Sequence, residues 1–462
     1  MSAQAHTLTP MWADTPVSGE VFAPVAFKVY TQRDLDRIER LQALSAEQRF
    51  EMKVVAAVLP FRVNQYVIDE LIDWSNIPAD PIFQLVFPQR GMLADEHYES
   101  IAALMRSGAA KAELDEAIAA VRAELNPHPA DQMAMNMPRD EDGSTLDGIQ
   151  HKYRETVLFF PSQGQTCHSY CSFCFRWAQF VGDKELRISA SEAQTLHGYL
   201  RSHPEVTDLL FTGGDPMVMK TRHLRDYFEP LLQPEFDHIR TVRIGTKALS
   251  FWPHRFLGAD DADDLICLLS QLVEAGKHVA IMAHYNHWKE LDTDAAQAAI
   301  RRVRSTGAII RAQGPLLAHI NDDPAVWARM WQMQVSLGIV PYYMFAERDT
   351  GARAYFEVPL ARAWQVYREA MQQVSGLGRT ARGPSMSASP GKVEIQGVTE
   401  INGEKVFVLR FIQGRNPDWV QRPFFARYDE QATWLHHLRP AFGEDKWFWE
   451  DEYEAIRLAS LS

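Results

Sequence analysis

The chain has 462 residues, 46% of them apolar, and a formal net charge of −13. That length allows two or three domains or one large barrel with additions, and the apolar share suffices for a full core. The negative balance argues against a nucleic acid or an anionic membrane as partner. No stretch approaches 18 consecutive apolar residues and the start, MSAQAHTLTPMWAD, lacks the regions of a signal peptide, so a soluble, cytoplasmic protein is expected.

The first 30 residues carry little pattern. Thr31 and Ser45 then stand at capping-box positions, in TQRD and SAEQ, ahead of the amphipathic runs DLDRIERLQAL and QRFEMKVVAAVL. With a third run, KAELDEAIAAVRAEL, near residue 111, they predict a helical N-terminal region over 1–125. Residues 126–150, containing NPHPAD and PRDEDGS, read as an extended linker.

Short β-rich runs follow at VLFFP (157–161), DLLFTGG (208–214), TVRIGT (241–246), HVAIMAHY (278–285), AIIRAQGPLL (308–317) and GIVPYYMFA (338–346). Helix-length segments such as SEAQTLHGYL and DTDAAQAAIRRVRS separate them. Six strands alternating with helices predict an α/β fold with a parallel sheet over 151–380, which right-handed crossovers can curl into a partial, TIM-like barrel. Chemistry in such barrels gathers where strands give way to the following loops. A helix near 357–375 leads to a hairpin, VEIQGVTEINGEKVFVLRF, turning at Asn402–Gly403. With the aromatic, acidic tail from Asn416 it makes a small C-terminal β/α extension over 381–462, the tail reading as a docking or oligomer segment.

Three of the four cysteines, Cys167, Cys171 and Cys174, fall within eight residues of TCHSYCSFCFRW. Three thiolates at CxxxCxxC spacing can ligate three irons of a [4Fe–4S] cluster and leave the fourth open to a small molecule. Zinc would want a fourth ligand, for which His168 and Cys267 are available; a disulfide would leave one thiol over. Tyr170, Phe173, Phe175 and Trp177 offer rings to screen a redox site. The spacing resembles that of the radical S-adenosylmethionine (SAM) enzymes, whose open iron binds SAM.

HKYRETVLF, CHSYCSFCFR, LLFTGGDP, VRIGTKALSFWPHR, HYNH, AQGPLLAHIND, VPYYMF and SPGK stand in that order between about residues 54 and 411. The ordered set resembles the lysine 2,3-aminomutase family of radical SAM, pyridoxal 5′-phosphate (PLP) enzymes, which move an amino acid's α-amino group to C3. The resemblance implies a partial (β/α)6 barrel of the radical SAM type, with a [4Fe–4S] cluster on the three cysteines and SAM and PLP inside the barrel. Thr212, Gly213, Gly214 and Asp215 match the loop that meets the methionine end of SAM, and His284 and Gln313 match polar positions lining the SAM and PLP sites. Lys392 matches the lysine that binds PLP covalently, Lys152 takes the place of an arginine near the PLP phosphate, and Arg176 matches the arginine that grips the substrate carboxylate. A free amino-acid substrate, a reductant such as flavodoxin or ferredoxin, and a homo-oligomer are the expected partners.

The chain departs from the family where the distal ammonium of lysine is read. The two aspartates of lysine-acting members fall on Arg348 and Ser385. An arginine about 4 Å from a lysine ammonium repels it by ~4 kcal/mol at an effective dielectric near 20 and attracts a carboxylate by as much. An acidic or polar substrate, glutamate first, is therefore expected. A one-residue slip onto Asp349 would restore a basic substrate, and Arg348 paired with Glu347 or Asp349 on a solvated loop would have no such role. The glycine run that precedes the family lysine has become SMSASPG, which leaves room for a PLP-independent radical enzyme or, from another class, an electron-transfer iron–sulfur protein. No cysteine follows Cys267, so no structural zinc is expected.

Overall fold

The computed structural model describes residues 23–125, 135–140, 142–181 and 193–461. The first 22 residues and positions 126–134 of the expected linker lie outside the described residues.

The N-terminal region is helical with one small sheet, β1 (Val29–Thr31) antiparallel to β2 (Arg62–Asn64). The helix Ala46–Val58 follows from its start signal: Ser45 Oγ accepts from the Gln48 amide while the Gln48 side chain accepts from the Ser45 amide. Pro60, two residues past its last turn, stops it. The run DLDRIERLQAL, in contrast, forms two 3₁₀ segments, Gln32–Arg37 and Glu39–Ala43, instead of an α-helix. Its buried residues Leu35, Ile38, Leu41 and Leu44 recur every third position, and only a helix of three residues per turn keeps them on one face. The helices Asp95–Ser107 and Lys111–Glu124 complete the region.

An eleven-stranded sheet follows, in the order β13-β12-β11-β10-β9-β8-β7-β6-β5-β4-β3. Its strands are β3 (Ile149–Tyr153), β4 (Thr156–Phe159), β5 (Asp208–Phe211), β6 (Thr241–Thr246), β7 (His278–His284), β8 (Ile309–Pro315), β9 (Val340–Phe345), β10 (Arg382–Ser387), β11 (Gly391–Ile401), β12 (Glu404–Gly414) and β13 (Pro423–Arg427). From β4 to β10 all neighbours are parallel. The six expected strands are present, and β10 adds a seventh to the parallel run. The hairpin β11–β12 turns at Asn402–Gly403, both with positive φ, as Asn–Gly turns require.

The sheet curls into an open barrel. In a flat sheet β3 and β10 would lie seven strand spacings, about 34 Å, apart. Instead the Lys152 ammonium on β3 donates to the Ala388 carbonyl just past β10, at 2.7 Å. Alternation along β6 shows the two faces: Val242, Ile244 and Thr246 are buried, while Arg243 and Gly245 point into the lumen.

The outer wall packs Leu, Ile, Val and Phe of the strands against helices such as Ala262–Glu274 and Asp294–Arg304. A second core joins the N-terminal region to Phe173, Trp177, Phe251 and Phe356, so that region shares its apolar interior with the barrel. A third packs Trp419, Trp434 and Trp449 on Phe407, Phe411 and Phe424 of β12 and β13. The aromatic tail thus packs on the sheet, and Trp419 Nε1 donates to Glu452 of the last helix, Glu450–Leu461, at 2.7 Å.

Candidate active site

A cavity of about 330 Å³ opens inside the barrel, lined by Leu158, Leu210, Gly245, Met282, Gln313, Phe345 and Ser387 from seven successive strands and by the cysteine loop. All three sulfur side chains, Cys167, Cys171 and Cys174, border it. Burial pushes their thiols up, Cys174 to about 11, and the charge of one opposes that of the next. Without a cationic centre these groups stay protonated; thiolates here would need one.

Two neighbours hold the loop in shape. From the N-terminal region, Arg62 accepts from the Tyr170 amide (2.8 Å), Leu85 from the Ser172 amide (2.9 Å), and the fully buried Asn64 donates to the Phe251 and His168 carbonyls. On the barrel side, Gly213 has φ +147°, and a Cβ on Gly214 would lie 2.7 Å from the Gln165 carbonyl carbon. These glycines let the TGGD segment lie directly on the chain entering the cysteine loop, fastened by the Asp215 amide to the Gly164 and Thr166 carbonyls.

Asp215 is 2% exposed and its carboxyl, raised to about 6 by burial, is taken up by the chain's own donors: the Met217 amide, Thr246 Oγ1 and the Lys247 amide. It ties the end of β5 to the end of β6. Lys247 makes a buried pair with Glu290 at 2.5 Å, a strut under the cavity that sequence reasoning did not single out. A charged Lys–Glu pair in this setting shows only as ordinary surface residues in the sequence.

A lone thiolate-bound ion at about 2.3 Å needs ligands converging on one point. Among the described residues no three His, Cys, Asp or Glu groups do so. Three thiols bordering one cavity suit an iron–sulfur cluster, which takes its ligands from thiolates. Cys267 is exposed on the helix Ala262–Glu274, and His168 lines the cavity with its pKa depressed to about 3 by burial.

Thr212, Gly213, Gly214, His284 and Gln313 all line the cavity. His284 Nε2 is buried without a partner, Phe173 standing edge-on to its ring at 5.6 Å, and burial with nearby Lys247 keeps the ring neutral. That orphaned nitrogen suits a polar ligand. Arg176 also borders the space, stacked on Phe160 at 4.2 Å with one nitrogen on Gln179 and its Nε unsatisfied.

Arg348, just past β9, lines the cavity rather than standing on a solvated loop, 5.2 Å from the Phe175 ring and 5.8 Å from Trp434. Trp434 comes from the aromatic tail, distant in sequence. Glu347 beside it faces the same space, 8% exposed, and burial drives its carboxyl well above the usual range. Asp349 is not among the lining residues. Ser385 is fully buried with Oγ toward the Met344 carbonyl; Ser387, two residues on, borders the cavity in its stead.

Lys392 stands on β11 opposite Ser387, on the same face of the sheet as that cavity-bordering residue. Its ammonium lies 4.2 Å from the Tyr343 ring and 5.4 Å from Phe345. Burial first, then Arg243 and Arg382, lower its pKa to about 7, so the free amine is present at neutral pH. An amine so prepared fits an aldehyde cofactor. Lys152 is lowered further by burial and by Arg415, Arg348 and Lys392, with its ammonium on the Ala388 carbonyl.

No profile of a known protein family matches the chain. A protein of Aquifex aeolicus, provisionally named L-lysine 2,3-aminomutase, is 30% identical over 406 residues, 88% of this chain and 95% of its own length. The L-lysine 2,3-aminomutase of Methanococcus maripaludis is 22% identical over 84% of this chain and 79% of its own. Among solved structures, a radical SAM methyltransferase from Sphaerobacter thermophilus overlaps at 13% identity over 62% of this chain and 93% of that one, with a TM-score of 0.37, too slight a likeness to carry an argument.

Proposed function

Given that the chain belongs to the lysine 2,3-aminomutase family, we propose that it is a radical SAM, PLP-dependent 2,3-aminomutase whose substrate carries an acidic or polar side chain, glutamate first. The observation that carries this reading is one cavity bordered by three thiols and by two arginines, Arg176 and Arg348. An amino acid with two carboxylates needs two such cations; lysine needs one cation and one anion.

When bound, the cluster and SAM supply a radical and PLP supplies an electron-accepting ring for the migrating nitrogen. The rest falls to the chain. Cys167, Cys171 and Cys174 are the cluster ligands. Arg176 orients the α-carboxylate with its planar fork, steadied by Gln179 and Phe160. Arg348 holds the distal carboxylate, its guanidinium placed by the rings of Phe175 and Trp434. Lys392 offers a neutral amine to the cofactor aldehyde. His284 and Gln313 contribute hydrogen-bonding atoms on the cavity wall.

Glu347 favours a second reading. A carboxyl on the same wall would accept the distal cation of lysine or arginine once ionised. Burial disfavours that ionised form, whereas Arg348 keeps its charge, and the acidic reading is preferred. Anaerobic incubation with SAM, PLP, reductant and glutamate, aspartate, glutamine, arginine or lysine decides the matter. The β-amino product and 5′-deoxyadenosine should appear together with glutamate or a polar relative. Turnover of lysine alone would sink the acidic reading, and deoxyadenosine without any β-amino acid would point to a different radical reaction.

A further inference from the structure

One layer beneath the cavity floor the lumen is strongly basic. Arg243 on β6 and Arg311 on β8 each stand two residues before a cavity-lining residue, Gly245 and Gln313, and so point into the same interior. Arg382 opens β10. Rings join these groups: the guanidinium carbons of Arg311 and Arg382 lie 5.2 and 4.6 Å from the centre of Tyr342, and Arg382 shares Tyr343 with Lys392, each 4.2 Å from that ring. Arg243 is already neutralised by Asp208 at 2.7 Å. Among the described residues, the side chains of Arg311 and Arg382 make neither an ion pair nor a hydrogen bond, though both residues are half-buried. Neither belongs to the motifs that carry the family likeness.

We infer that Arg311 and Arg382 form the seat for the phosphate of the aldehyde cofactor carried by Lys392, taking over from Lys152. Two guanidinium forks held by aromatic faces within a lumen are prepared for a doubly charged, multi-oxygen anion. Lys392 shares their ring system, so an anion on the same small molecule as the aldehyde falls within reach of both. Lys152, in contrast, has its ammonium committed to Ala388 and crowded by other cations. The inference rests on the PLP reading above.

The test compares PLP with pyridoxal, which has the aldehyde and lacks the phosphate. Each is titrated into the full-length protein by visible absorbance, and borohydride then fixes the Lys392 adduct for mass spectrometry. Wild-type protein should prefer PLP by about 100-fold, the worth of two charge-assisted contacts. Arg311→Ala and Arg382→Ala should each weaken PLP about tenfold or more with pyridoxal unchanged, and Lys152→Ala should keep most of the preference. An unaltered PLP-to-pyridoxal ratio in the Arg311→Ala, Arg382→Ala double variant would overturn the seat. Should that variant bind neither ligand, Arg311→Gln with Arg382→Gln decides: unchanged pyridoxal and weakened PLP supports the seat, and loss of both assigns the arginines a structural role and overturns it. Failure of wild-type protein to form any Lys392 adduct removes the PLP reading and the seat together, an outcome distinct from an adduct with an unchanged ratio.

Discussion

Lys392 and Arg348 carry the sharpest expectations at the scale of single residues. Because Lys392 titrates near 7, the rate at which borohydride traps its PLP adduct should climb with pH and level off by about 8, whereas an ordinary lysine would keep gaining toward 10. Lys392→Ala should abolish the adduct. The same depression means that the folded, ligand-free chain binds fewer protons than the unfolded chain between about 7 and 10.5, so this residue's penalty on stability shrinks as pH rises through that window. At Arg348 the expectation concerns sign. Arg348→Asp should lower kcat/KM for an acidic substrate at least ~100-fold and raise that for lysine relative to it, read from the same amino-acid panel. The cysteines, Arg176, His284 and Gln313 were legible in the sequence through motif order, and they share one cavity. Trp434 was not, because a residue that approaches the site from a distant tail leaves no local pattern.

Among the elements, the cysteine loop depends on what grips it from both sides. Asn64 is the central fastening: its carbonyl oxygen accepts from the Val67 amide and its amide donates to Phe251 and His168. Asn64→Ala strands these buried partners, an effect of ~1–3 kcal/mol. The melting temperature should fall by several degrees, and iron retained after anaerobic reconstitution and gel filtration should drop with it. Gly214→Ala should cut iron retention more than it lowers stability, because its Cβ strikes the chain entering the loop. Strands such as TVRIGT were readable because residues of alternate faces differ in burial. The 3₁₀ segments escaped because buried positions every three residues look, over one or two turns, like those of an α-helix. β10 escaped because RGPSMS has no apolar alternation; its neighbours on both sides make it a strand.

At the scale of the molecule, the N-terminal region is part of the barrel's interior and not a detachable unit. Phe173 and Trp177 of the cysteine loop lie in one core with Val55, Phe83 and Ile101. A chain lacking residues 1–125 should therefore neither bind iron nor stay soluble, and in the full chain the N-terminal region and the barrel should melt together by calorimetry. No helix among the described residues is long and apolar enough to cross a membrane. The curled parallel sheet was foreseeable from strand alternation, but the contact of Lys152 with Ala388 across its opening was not, since it joins positions 236 apart in sequence.

The order of the parts along the chain bears on its birth. Roughly 220 residues separate Cys174 from Lys392, and β10, the last of the seven strands that line the cavity, is made only just before Lys392. At 5–20 residues per second a ribosome takes about 10–45 s to cover that interval. For that long the nascent sulfurs face the surroundings with their enclosure unfinished. Thiols left open over that interval are within reach of oxidants, and a reducing medium during expression should raise the share of protein with Cys167, Cys171 and Cys174 free.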